Sequence, residues 1–350
     1  MCCKIIITAL SILISVTYSF AQTNTVQTNW LNLYNGQSIN GILSKGNDVW
    51  IGTYAGLVYI NLDNDSTKLY TKDNSNLELQ NTNPLCVDKN DHLVFVRGGA
   101  GPVFFNKVSF WPGRFYNSDI KSYVEDKYGN IWLGLTYLGI IKLETINGIS
   151  YATNYKRNNS PMPGDNVKKI QFDKNGNLWI LTYEYDFRDT LNAGLVKYDG
   201  TNWTVYNKKN SPIESNQLTD FVIDKDGAIW IGTEINSIYK FYNNTWTKYA
   251  TGKIGRDISN AVSAMAVDSS NNIWVGTNFN GLYRYDGTEW ELFTATNSSL
   301  RSSHIHALAV DERGGVWVGT QIGVYKYVNG DFKEYNTAIL LYLRPGWKKQ

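Results

Sequence analysis

The chain has 350 residues, with 33 Lys and Arg against 31 Asp and Glu and a net charge of +2 at pH 7. That balance, with no basic run before the final Lys348-Lys349, gives no sign of a nucleic-acid surface. The 12 Trp and 24 Tyr point instead to a protein held together by aromatic packing.

Residues 1–21 read as a leader. Lys4 supplies a positive start, 5–16 an apolar core, and Ser19-Phe20-Ala21 a small-x-small cleavage site, so cleavage is expected before Gln22. The apolar run is shorter than the roughly 20 residues of a membrane span, and no span is expected after cleavage. Cys2 and Cys3 precede the apolar stretch, so Cys86 is the one cysteine left. No internal disulfide is then available to this exported chain. Cys86 holds the place taken elsewhere by Val124, Val222, Ala266 and Ala309, which reads as a small core residue and not a reactive thiol.

From residue 22 to 335 one phrase recurs, Asp-x-x-Gly-Asn-x-Trp-x-Gly-Thr. Its copies centre on Trp50, Trp132, Trp179, Trp230, Trp274 and Trp317, with Val94 in a degenerate copy. The centres lie 44, 38, 47, 51, 44 and 43 residues apart. A strand-rich repeat of about 40–50 residues predicts propeller blades. The sixth copy shows the anatomy: strands at 262–268, 273–277, 281–285 and 290–293, with Asp286-Gly287 as a hairpin turn. The expected fold is all-β, a seven-bladed propeller of four-stranded antiparallel blades, followed by a tail at 336–350.

Each part of the phrase has a physical reading. The Asp accepts backbone N–H groups of its turn. Positive φ is expected three residues before the Trp, at Gly129, Gly176, Gly227 and Gly314, with Asn47 and Asn271 as substitutes. The Trp fills the gap between blades, and the Gly two residues later permits close approach. The Asn-Ser pairs at 74–75, 159–160, 210–211 and 297–298 read as turn formers. Two segments, Asn29 to Tyr34 and Asp331 to Tyr335, compete for the outer strand of the last blade.

This wording resembles the two-component regulator propeller repeats of bacterial sensors. The resemblance covers nearly all of the chain after the leader. It implies a propeller outside the inner membrane that binds ligands, often glycan fragments. In that family a further β-domain, a membrane span and a histidine kinase commonly follow. Residues 336–350 carry no such phrase, so kinase activity is not carried over, and a separate membrane sensor or envelope protein becomes a candidate partner.

Candidate site residues come from irregularities among the repeats. Loops from the second to the third strand, and from the outer strand to the next inner strand, share one face. In the fourth blade 15 residues separate Trp179 from Gly194, against seven between Trp274 and Gly281. The excess contains Tyr183, Glu184, Tyr185, Asp186, Phe187, Arg188 and Asp189. Its aromatics suit apolar sugar faces, and its charges suit directional hydrogen bonds. A long loop in a compact domain often carries function. His304 and His306 stand at the start of the last inner strand, where alternation would aim both imidazoles at the channel mouth. Asp119 and Asn166 hold the place of His304 in other repeats, and Lys121, Lys168 and Asp220 lie near that ring. Arg97-Gly-Gly-Ala-Gly-Pro102 replaces the Gly-Thr phrase in the second blade, but no helix follows it to make a phosphate loop.

The sequence therefore predicts an exported ligand-binding or sensor-type module for a glycan, another small polar ligand or a partner protein. It implies no cofactor. The alternative is a metal-assisted lyase. Propellers similar in repeat wording include the streptogramin lyases, which use His and Glu with a metal at the channel. On that likeness His304 and His306 supply the base, and Glu184 would come from the loop.

Overall fold

A computed structural model describes residues 39–335, except 78–80, 89, 98–101, 108–109, 113–118, 148, 185–192, 235–236 and 250–260. The expected leader, the segment Asn29 to Tyr34 and the tail 336–350 lie outside the described residues. So do Tyr185, Asp186, Phe187, Arg188, Asp189 and the glycines within 98–101.

The described residues form seven four-stranded antiparallel sheets. Their blades span 39–70, 82–112, 120–155, 167–206, 218–249, 262–293 and 305–334. In each blade consecutive strands are neighbours. The first strand of each blade touches the first strand of the next, and Ile39–Lys45 of blade 1 touches Ile305–Val310 of blade 7. The first strands therefore encircle one axis, and the ring is closed. No helix among the described residues is long and apolar enough to cross a membrane.

The repeated phrase builds one device five times. Asp126, Asp173, Asp224, Asp268 and Asp311 each accept two backbone N–H groups of the following turn through Oδ1. Through Oδ2 each accepts the indole N–H of the Trp six residues on, at 2.8–3.1 Å. Positive φ falls three residues before the Trp at Gly129, Gly176, Gly227, Asn271 and Gly314. In blade 2 Asp91 takes that conformation, and Asp88 pairs with His92 where the indole is missing. Blade 1 departs from expectation. The left-handed residue is Gly46 and not Asn47, because Ser44 replaces the turn Asp and Lys45↔Asp48 closes a tighter hairpin.

The Trp side chains fill the seams between blades. Trp230 packs with Val262, Met265, Val275 and Tyr283 of blade 6. The Gly two residues later faces the next blade: a Cβ on Gly232 would lie 2.5 Å from Val262 Cγ1, and one on Gly276 2.5 Å from Ile305 Cγ2. The glycine thus lets the next blade's first strand approach. The Thr after it is buried, and Thr53, Thr182, Thr233, Thr277 and Thr320 each donate to a carbonyl across the second-to-third-strand loop. The Asn-Ser pairs are turn formers: Asn74, Asn159, Asn210 and Asn297 each accept one backbone N–H and donate to a backbone carbonyl. Cys86 sits opposite Val94 in the ladder, and burial pushes its thiol well above the usual cysteine range.

Of the two segments that compete to close the ring, Asp331–Glu334 is the outer strand of blade 7. Blades 7 and 1 meet through side chains. Ile39, Ile42, Val49 and Ile51 pack on Ala307, Trp317 and Val324. Arg313 donates to the Leu62 carbonyl at 2.7 Å and pairs with Asp63.

The turn aspartates also set an acid limit on stability. Burial works against the ionised forms of Asp126 and Asp173, but hydrogen bonds from Asn130 and Trp132, and from Asn177 and Trp179, outweigh it and lower both. Asp311 is lowered likewise, by Lys326, Trp317 and the Gly315 N–H, against the same burial. A carboxyl whose folded value is depressed stabilises the fold above its unfolded value of about 3.9. That contribution is lost as pH falls through the folded value. Unfolding free energy from urea titrations should therefore decline from about pH 5 downward, and Asp173→Asn should flatten the decline. A flat profile from pH 6 to 3 would contradict this account.

Candidate functional site

The site is built on the first strands. In six of the seven blades the ladder between first and second strands slips by one residue near its start. The extra residues are Asn40, Lys121, Lys168, Thr219, Ser263 and His306. In blade 2 the slip comes later, at Leu85. A bulge leaves its extra residue out of the pairing and re-aims it. The first strands encircle the axis, so the extra residues stand at one level around it.

The ring is unevenly satisfied. On blade 1 Asn40 donates to Asn81 and to the Thr82 carbonyl. On blade 3 Lys121 pairs with Asp119 at 2.9 Å. On blades 5, 6 and 7 Thr219 Oγ1, Ser263 Oγ and His306 Nε2 are buried without a hydrogen-bond partner among the described residues. Lys168 on blade 4 is open to solvent. Burial among the surrounding channel atoms nevertheless holds its ammonium below the usual lysine range, with Asp220 and Glu234 acting in the opposite sense. Asp220 does not pair with Lys168. Its Oδ1 takes Lys169 at 2.7 Å and its Oδ2 the Met265 N–H at 2.7 Å.

The residues expected from sequence divide into three groups. Lys121, Lys168 and His306 stand in the ring. Asp119, Asn166 and His304 occupy the column two residues earlier, where each backbone carbonyl accepts an N–H from the adjacent second-to-third-strand loop. The Asn166 side chain caps Tyr137 N at 2.9 Å and is buried, which makes it a loop fastener. Tyr183 and Glu184 begin the long loop after Leu178–Thr182. The Tyr183 hydroxyl lies 3.4 Å from Thr136 Oγ1, which donates to Asp119 at 3.2 Å, so the loop's first residue meets the rim of blade 3.

The two histidines do not follow simple strand alternation, because the bulge falls between Ile305 and Ala307, at His306 itself. His304 instead packs edge-on to Phe279, with ring centroids 4.7 Å apart. Burial, with a smaller push from His304, lowers the His306 imidazole below the ordinary histidine range. Among the described residues no three His, Cys, Asp or Glu side chains gather to hold a metal ion.

Thr219 and Ser263 were missed from sequence. The signal was available, since aligning the repeats places them in one column with Lys121, Lys168 and His306. Ser and Thr are ordinary in strands, so neither stands out from its own strand.

The opposite face also carries a cleft, of about 490 Å³ between blades 3 and 4. Blade 3 has the longer outer hairpin, Gly139–Ile146 with Ile149–Tyr155, and its Lys142 and Tyr155 line the cleft. The rings there stack on one another, Trp132 on Tyr155 at 5.9 Å, and Asp126 and Asp173 are spent on their turns.

A family model described as the two component regulator propeller matches residues 161–184, 212–234, 257–279 and 299–321. Each match runs from the loop before a first strand through the Trp strand, on blades 4 to 7. Four of the seven blades thus carry the repeat of the two component regulator propellers. Blades 1 and 2 of this propeller drift from the family wording, as their missing turn Asp and missing Trp show. No curated protein matches the sequence.

Solved structures share the fold of this propeller. The extracellular domain of a putative hybrid two component system from B. thetaiotaomicron superposes with a TM-score of 0.67 at 18% identity, over 83% of this chain and 39% of that one. A second such domain from the same organism gives 0.66 at 19%, over 85% and 39%. The propeller thus spans well under half of those relatives. A streptogramin B lyase gives 0.62 at 18% identity, over 85% of this chain and 95% of that one.

Proposed function

We propose that this propeller is an exported, sensor-type binding module that takes a small polar ligand, a glycan among the candidates, at the channel mouth. One observation carries the reading: on three adjacent blades the bulge residues Thr219, Ser263 and His306 each hold a buried polar atom without a partner among the described residues. Buried polar atoms without partners are costly and ordinarily mark a ligand, an ion or water. The extracellular location of the neighbouring domains supports export. A membrane sensor or another envelope protein is the expected recipient of the bound state.

The long loop of blade 4 supplies the lip in this reading. Eleven residues, 183–193, separate Leu178–Thr182 from Gly194–Tyr198, against four between Ile229–Thr233 and Ile238–Tyr242. Ordering a loop of that length costs conformational entropy, which a bound ligand would offset. Replacing 183–189 with a short glycine-containing turn should leave the fold intact, since no repeat position is touched. Ligand affinity should fall at least about tenfold, roughly 1.4 kcal/mol. Calorimetric titration of a glycan-array hit checks this. Unchanged affinity in a folded variant would move the site away from this face.

A further inference from the structure

We infer that the outer edge of blade 3 is a self-association surface, where the strand Ile149–Tyr155 pairs antiparallel with the same strand of a second copy of this chain. The inference does not depend on what the channel mouth binds.

The outer strand of a blade leaves one row of backbone N–H and C=O groups facing away from its sheet, which is a template for another strand. Proteins guard such edges by keeping them short, or by placing a charge or a Pro on them. Among the described strands six blades do so. Their outer strands, Thr67–Tyr70, Phe110–Pro112, Trp203–Tyr206, Thr245–Tyr249, Trp290–Phe293 and Asp331–Glu334, have three to five residues. All but Trp203–Tyr206 also carry a charge or a Pro. Blade 3 ends instead in seven residues, Ile-Ser-Tyr-Ala-Thr-Asn-Tyr, with neither. That strand is the edge of its sheet. Its Ile149 and Tyr151 are 57% and 47% exposed, and Ile146, which pairs with Ile149, is 51% exposed. Large apolar side chains exposed side by side mark an interaction surface.

The register names the partner. Ile146↔Ile149 closes the hairpin, and the closing pair of a two-residue hairpin exchanges both of its hydrogen bonds. Bonding to the blade therefore runs through Ile149, Tyr151, Thr153 and Tyr155, and the N–H and C=O groups of Ser150, Ala152 and Asn154 face out. The Asn154 carbonyl is already taken by Asn159 Nδ2 at 2.9 Å. The open stretch is thus 149–153, with Tyr151 at its centre. Turned about a two-fold axis at Tyr151, this stretch fits itself. Ser150 of each copy falls opposite Ala152 of the other, so every outward group of both residues is paired. Tyr151 meets Tyr151 at a position outside the hydrogen-bonded pairs, where side chains come closest. Aromatic pairs across antiparallel strands are stabilising. Ile149 meets Thr153, and both are β-branched residues suited to strands. The stretch carries no charge, so two copies do not repel along it.

The test is sedimentation equilibrium of the full chain over a range of concentrations, with hydrogen exchange read in parallel. The protein should dimerise, and the amides of Ser150 and Ala152 should gain protection as the dimer forms. Ala152→Pro removes an outward N–H that the blade does not use, a change that edge strands tolerate. Tyr151→Lys sets two like charges against each other at the two-fold axis. Each variant should raise the dimer dissociation constant at least about tenfold. Should Ala152→Pro fail to fold, Tyr151→Lys carries the test alone, because its side chain is already half exposed. A monomer at every soluble concentration overturns the inference, even one that takes a strand of another protein on this edge. A dimer that persists in folded Tyr151→Lys, or that leaves the Ser150 and Ala152 amides unprotected, is built on another surface and overturns it too.

Discussion

Trp230→Ala should destabilise the propeller by about 3–5 kcal/mol, the range for removing a large buried aromatic side chain. Trp230 is 1% exposed and sits at the seam between blades 5 and 6. Its ring lies 5.0 Å from Tyr249 and 5.6 Å from Tyr285, and the Lys240 ammonium sits over it at 5.0 Å. Its indole N–H also fastens the Asp224 turn at 2.8 Å. Truncation therefore opens a cavity between two blades and leaves a buried carboxylate oxygen short of a donor. Trp230→Phe should recover much of the packing but not that hydrogen bond. Urea unfolding followed by tryptophan fluorescence reads the difference. A shift in melting temperature under a degree for the Ala variant would show that the seam closes without the indole.

The turn Asp and the Trp illustrate how far the sequence reading reached. Both were visible because each recurs at a fixed distance, and a residue type that recurs in every blade reports on blade architecture. The seven-bladed ring, the positive φ before the Trp and the close approach at the following Gly were legible for that reason. Ring closure was not, since two segments had equal strand character. Pairing with Tyr325, Lys326 and Tyr327 gives the outer position to Asp331–Glu334. The site was legible only in outline. Alternation along a strand was assumed for His304 and His306, and a one-residue bulge at His306 broke it. A bulge leaves no mark in a single strand's pattern, because it is a property of the pairing with the next strand. The same slip gives Thr219 and Ser263 their positions, and no period-two reading would single them out.

The seam between blades 7 and 1 should be the most sensitive to overfilling. A Cβ on Gly319 would lie 2.7 Å from Ile39 Cγ2, 3.1 Å from Ile39 Cβ and 3.2 Å from Ile42 Cδ1. Those atoms belong to β-branched residues on a first strand, so they have few rotamers to escape into. Gly319→Ala should then cost about 1–3 kcal/mol, as overpacking does. Ile39→Ala removes the struck methyl and should cost about 2–5 kcal/mol by itself. In the double variant the new methyl occupies space the isoleucine has vacated. The pair should therefore cost less than the sum of the singles, by at least about 1 kcal/mol, the signature of direct contact. Gly232→Ala makes the matching clash with Val262 Cγ1 at 2.5 Å, but blades 5 and 6 are consecutive in the chain. Blades 7 and 1 join only through side chains among the described residues. Hydrogen exchange should accordingly rise in 39–51 and 316–328 for Gly319→Ala, ahead of global unfolding, and not at the matching strands for Gly232→Ala. Additive costs within about 0.5 kcal/mol would mean that blade 7 yields to the new methyl without strain, and that the glycine is not what lets the ring close.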